Sequence, residues 1–150
     1  MADTRVQLEV EDWVRRIWMP DCFGQKFNRD RCKLSSGGVF DFDAVSDDGK
    51  IVASISTSGA KTASGKPAVG KLLKLRSDML FLLLAQEVEK RIIILTEPDM
   101  YELCNKERSG GRVPLSIKFV LAKIPDELRQ KLQDARKIAS REVSPELRDK

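Results

Sequence analysis

The stretch VFDFDAVSDDGKIVASIST, residues 39–57, constrains this chain more than any other. VFDFDAV alternates apolar and polar side chains without a break, and KIVASIST reads as a second strand. Between them, Asp48-Gly49 is a favoured pair for a two-residue hairpin turn, in which both central residues take positive φ. A hairpin centred there sets Asp43 opposite Ser54, Asp41 opposite Ser56, Phe42 opposite Ile55 and Ala44 opposite Ala53. Phe40, Phe42, Ala44, Ala53 and Ile55 then share one face, and Asp41, Asp43, Ser54 and Ser56 the other; a slip of one residue would scramble that sorting. Two carboxylates and two hydroxyls are expected together, with same-strand neighbours about 7 Å apart.

The flanking sequence supplies the layers. Val6, Val10, Trp13, Val14, Ile17 and Trp18 form one apolar stripe of a helix over 4–19, with Asp3 or Thr4 as cap and Pro20 just past its end. Residues 21–38 read as irregular and basic, with a short strand over 31–35. After a loop at 59–68, a helix over 69–90 has so apolar a middle (MLFLLLA) that burial on more than one side is expected. RIIILTE, 91–97, reads as a fully buried strand. A short helix over 98–107, a strand over 115–123 and a helix over 126–142 follow, with a loose tail, SPELRDK.

The length of 150 residues suits one domain with a substantial core. The chain has no histidine, which removes His-based acid/base catalysis, Ser-His and Cys-His nucleophile pairs and His-ligated zinc. Three cysteines without CxxC spacing signal neither a metal knuckle nor a disulfide framework. A metal here would be a hard cation on carboxylates, magnesium or manganese. The N-terminus lacks a basic start and apolar run, and no apolar stretch nears the ~20 residues of a membrane span, so a cytoplasmic protein with no membrane partner is expected. Net charge is +4. From Gly49 to Ser77 there is no acid, against Lys50, Lys61, Lys66, Lys71, Lys74 and Arg76. Such a stretch of one sign favours an anionic partner.

GAKTASGK resembles a phosphate-binding P-loop only at a glance. Five residues separate Gly59 from Gly65 where four are needed, and Pro67 follows Lys66 where a hydroxyl is needed. A looser phosphate contact through backbone N–H groups and Lys61 or Lys66 is the reading left.

The order helix, strand, hairpin, helix, strand, with GGVFDFDAVSDDGKIVASISTS and RIIILTE, resembles the PD-(D/E)XK nuclease superfamily over about residues 4–97. The resemblance implies an α/β restriction-endonuclease-like core: a mixed sheet with an antiparallel hairpin flanked by helices, in a single domain with a C-terminal strand and helix added. In active members an Asp on one strand and Glu-x-Lys on the next converge on a divalent cation. Asp43 matches the first acid, Ser54 stands at the Glu position and Ser56 at the Lys position. Serine is a poor magnesium ligand and cannot supply a cation. A working site would have to borrow a lysine from Lys61, Lys71 or Lys74, and an acid from Asp41, Glu9 or Glu11. The catalytic candidates are Asp43, Ser54, Ser56, Lys71 and Glu9; the metal candidates are Asp43 and Asp41.

Three readings follow. ASIST favours a protein that keeps the fold and basic face without cleavage and binds nucleic acid, DNA in preference to RNA, through Lys61, Lys66, Lys74 and Arg76. The alternative is a divergent magnesium- or manganese-dependent endonuclease with a migrated acid and lysine. The third is a phosphate-ligand protein using the 59–66 loop. A homodimer fits the first two, since nucleases of this fold often pair to cut both strands.

Overall fold

The computed structural model describes residues 5–142; the cap residues Asp3 and Thr4 and the tail SPELRDK lie outside them. Five strands form one open mixed sheet in the order β1 (Phe27–Lys33), β2 (Val39–Ser46), β3 (Ile51–Ser56), β4 (Lys90–Leu95), β5 (Ile117–Leu121). The first three are antiparallel, and β3, β4 and β5 run parallel. On one face lie α3 (Val69–Leu84) and α4 (Pro98–Ser109); Leu75, Met79, Leu82, Met100 and Cys104 pack there on Phe42, Val45, Val52, Ile93 and Leu95. The other face is covered by the N-terminal helix and by α5 (Asp126–Glu142), through Val10, Val14, Met19 and Leu132 against Ala44, Ala53, Ile55, Ile92 and Ile94. No helix among the described residues is long and apolar enough to cross a membrane.

The N-terminal helix departs from the sequence expectation. It runs as α1 (Arg5–Trp13), a π-helical turn (Val14–Trp18) and α2 (Met19–Phe23), and ends at Gly24 in the left-handed region, φ 73°. Pro20 does not end it: Trp18 and Met19 keep helical φ and ψ, and Pro20 follows directly on the π-helical turn. The wide turn adds a residue to the helical phase. Ile17 is therefore exposed and Arg15 buried, the reverse of the stripe read from sequence. Trp13 and Trp18 are partly buried against the core.

The hairpin keeps the expected Ala44↔Ala53 pair, but its turn is different. Gly49 has φ 73° and Asp48 is not left-handed, so the turn is a wider one over 47–50. Side chains fix it: Ser46 Oγ donates to Asp48 Oδ1 (2.6 Å), which also accepts the Lys50 N–H (3.0 Å), while Ile51 N–H donates to Ser46 Oγ (3.0 Å). The Ser46 hydroxyl, then the Lys50 N–H, pull the Asp48 carboxyl below its usual range.

A β-bulge overturns the face sorting. Asn28 pairs with Val45 and Asp30 with Phe42, so Asp43 and Ala44 together stand opposite the single residue Arg29. Phe42 and Val45 consequently face α3, while Ala44 faces the N-terminal helix. Ala53 and Ile55 share Ala44's face, which turns Ser54 and Ser56 toward α3. Asp41 and Asp43 do not share a face with the two serines.

Two further bounds move. β1 begins at Phe27, earlier than the strand read over 31–35. α3 ends at Leu84, because Ala85 forms a β-bridge with Leu34 and Glu87 adopts φ 57°, leaving Val88 outside the helix. Phe81 stacks on Phe40 at 4.1 Å between ring centroids and fastens the end of α3 to β2.

Candidate functional site

The bulge opens the sheet beside Asp43. The β2–β3 ladder ends at Ala44↔Ala53. Beyond it, Asp43 Oδ2 accepts the Ile55 N–H at 2.8 Å. Behind it, buried Arg15 donates Nε–H to the Asp43 carbonyl at 2.6 Å and NH1 to Asp12 at 3.4 Å. Asp43 is thus gripped at both its carboxylate and its carbonyl.

A small cavity of about 120 Å³ lies at this end of β3. Gln7 and Glu11 of α1, Ser56 at the end of β3, Thr57 and Ser58 after it, and Lys71, Lys74 and Asp78 of α3 line it. Two of its acids have their carboxyls shifted above the usual range. Burial, and then the charge of Asp43, push the Glu11 carboxyl above its usual range, against the pull of Arg15, Arg29 and Lys74. Burial likewise raises Asp78, with Asp43 adding to it and Lys74 opposing. Lys74 Nζ lies 3.3 Å from Asp78 Oδ2. Among the described residues, no three acids come close enough together to hold a metal ion. The side chains as placed therefore do not fit the magnesium or manganese that the resemblance implies. Glu11 also borders a wider cleft of about 720 Å³ lined by Arg15, Arg29 and Lys131.

The sequence candidates divide. Ser56, Lys71 and Lys74 line the opening, with Ser56 Oγ accepting the Ser58 N–H at 3.4 Å, and Asp43 joins it through the N–H of Ile55, another lining residue. Ser54 is buried beneath α3. Asp41 is turned away and pairs with Arg31 at 3.1 Å, because the bulge separates its face from that of the serines. Glu9 is also turned away: two positions along α1 from Glu11, it pairs with Lys131 of α5 at 3.2 Å. Arg76 bonds Glu107 at 2.5 Å. Lys61 and Lys66 flank an exposed tip. The 60–68 loop folds back on itself through a Lys61↔Pro67 bridge, with Thr62 N–H donating to the Lys66 carbonyl (2.7 Å) and Ala68 N–H to the Ala60 carbonyl (2.9 Å). Asp99 accepts the Ala60 N–H at 3.1 Å, so the loop's base carries a carboxylate and several of its N–H groups are spent internally.

Sequence reasoning missed Asp78. Its only signal is its place four residues after Lys74, on the flank of the buried stripe. Cys104 is no ready nucleophile: burial and Glu107's charge push its thiol up to about 11. Comparison with protein-family models, curated proteins and solved structures gives no match.

Proposed function

We propose that the protein binds nucleic acid, DNA in preference to RNA, on a restriction-endonuclease-like core whose catalytic centre has degenerated. The observation that carries this reading is the set of exposed lysines in the 60–68 loop and the first turns of α3. Lys61, Lys66, Lys71 and Lys74 are all exposed, and among the described residues only Lys74 has an acidic partner. Exposed lysines of this kind suit a phosphate backbone, which is bound by charge and release of counterions. Two observations support degeneration: Ser54 is buried beneath α3, and one Asp43 oxygen is committed to the Ile55 N–H. The element order, with a three-strand antiparallel meander, a helix and a parallel fourth strand, is the order such a core requires.

One observation favours a second reading, a metal-dependent nuclease with a migrated site. Glu11 and Asp78 both feel the charge of Asp43 next to Lys74, although the three acids do not form a cation site as placed.

One assay tests both. Duplex, single-stranded and branched DNA is titrated at several salt concentrations, with and without magnesium or manganese. Binding is expected to weaken steeply with salt. Replacing the four lysines by alanine should reduce the slope of log K against log salt by roughly 3 to 4. Salt-insensitive or absent binding overturns the proposal. Metal-dependent cutting that Asp43→Ala abolishes replaces it with the nuclease.

A further inference from the structure

The wider cleft, about 720 Å³, falls within the range of small-molecule sites. Arg15 lines it with a side chain only 10% exposed. The two local insertions meet at this residue. The π-helical turn carries Arg15 inward, and at the bulge the Asp43 carbonyl accepts its Nε–H at 2.6 Å. Such turns and bulges are enriched at functional sites. Arg29 stands opposite the bulge on β1. Phe27, two residues before it, packs into the core beneath the N-terminal helix, so Arg29 projects on that face and lines the same cleft.

The two guanidiniums repel each other. Burial first, then the charge of Arg29, lower Arg15 from its usual range, against Asp12, Glu11 and Asp43. The acids of the cleft answer this only in part. Asp12 lies nearer to Arg16 (3.0 Å) than to Arg15 NH1 (3.4 Å), Glu9 is held by Lys131 (3.2 Å), and Glu11 is shared with the smaller cavity. Among the described residues, Arg15 NH2 has no acceptor and Arg29 no ion pair.

We propose that this cleft binds a small phosphomonoester, its phosphate held by Arg15 and Arg29 and its body laid along Val6 and Leu8. The inference stands apart from nucleic-acid binding, whose lysines belong to the 60–68 loop and α3. A guanidinium offers a planar fork of donors that matches phosphate oxygens. A carboxylate would bring one negative charge. A phosphomonoester brings nearly two at pH 7, enough to answer both arginines. The Asp43 carbonyl already fixes the Arg15 fork, so little side-chain freedom is lost on binding. Val6 and Leu8 line the cleft beside these charges, and Leu8 is 52% exposed.

Calorimetric titration of the full chain with adenosine monophosphate and with phenyl phosphate is the test, with adenosine as control. At least one of the two phosphates is expected to bind once per chain with Kd below about 1 mM, and adenosine not at all. Arg29→Ala alters an exposed strand position and should weaken binding about tenfold or more. Arg29→Lys keeps the charge without the fork and should weaken it less. The Arg15 Nε–H resonance should shift during the titration, a readout that needs no change to the buried residue. A variant with Lys61, Lys66, Lys71 and Lys74 all replaced by alanine should bind the phosphate as the wild type does, whatever becomes of its DNA binding. No binding of either phosphate, equal binding of adenosine, or wild-type affinity in Arg29→Ala overturns the proposal. Loss of binding in the four-lysine variant overturns it too, and moves the phosphate to α3.

Discussion

Glu97 and Asp78 are both acids turned inward, their side chains 7% and 13% exposed, yet they sit in opposite circumstances. Glu97, just past β4, is met from α5 by Arg136 at 2.7 Å and Arg129 at 3.2 Å, and the Thr96 hydroxyl donates to it at 3.0 Å. The same arginines reach the Thr57 and Thr96 carbonyls. Each charge there has a partner, and the cluster pins α5 across the end of the sheet. Asp78 has one exposed lysine on one side and the field of Asp43 on the other. A buried charge that is fully answered holds the scaffold together. One that is repelled beside a cavity costs stability, and costs of that kind concentrate at functional sites. The difference separates the structural acid from the candidate site without any homologue.

The largest test of that comparison is Glu97→Ala. Two arginines lose their counter-charge in a mostly buried cluster, and about 3 kcal/mol of stability should go, read by urea unfolding. Earlier proteolysis within α5 should accompany it. A loss below about 1 kcal/mol would put Glu97 among ordinary surface pairs.

Asp43→Asn should act next. The amide oxygen still accepts the Ile55 N–H, but the charge is gone. The carboxyl resonances of Glu11 and Asp78 should then titrate at lower pH than in the wild type, followed by ¹³C NMR. Unchanged titration would mean that burial alone raises them and that the acids do not communicate.

Smallest is Asp78→Asn. A raised carboxyl binds its proton to higher pH folded than unfolded, so the folded state holds more protons between the two pKa values and stability falls as pH rises through that window. Removing the charge should therefore raise the melting temperature at pH 7 by about 1–3 °C. The gain should vanish below the unfolded carboxyl pKa of about 3.9, where both states are protonated. A loss at pH 7 would make the Lys74 pair the dominant effect.

Much of the scaffold was legible. RIIILTE announced a buried central strand, and Asp48-Gly49 marked the centre about which Ala44 pairs with Ala53. Two single-residue insertions were not legible. The π-turn at Val14–Trp18 and the bulge at Asp43-Ala44 each shift phase without disturbing any pattern of residue types. Perfect alternation in VFDFDAV therefore misassigned the faces, and a regular stripe hid the burial of Arg15. At the site, Asp43 was legible from its strand. The choice of Glu11 over Glu9 was set by which side of α1 the bulge faces, a tertiary fact. Asp78 became visible only when α3 was laid against the opening.

The bulge also bears on how such a site is inherited. Its extra residue is required by Phe40, Phe42 and Val45, which must all reach the α3 core, and not by the carboxylate at its apex. Substitution of Asp43 by drift leaves the gap between β2 and β3 standing. Closing the gap takes a codon deletion, which would turn two phenylalanines out of the core and be purged as a folding defect. The opening therefore persists whatever side chain stands at position 43.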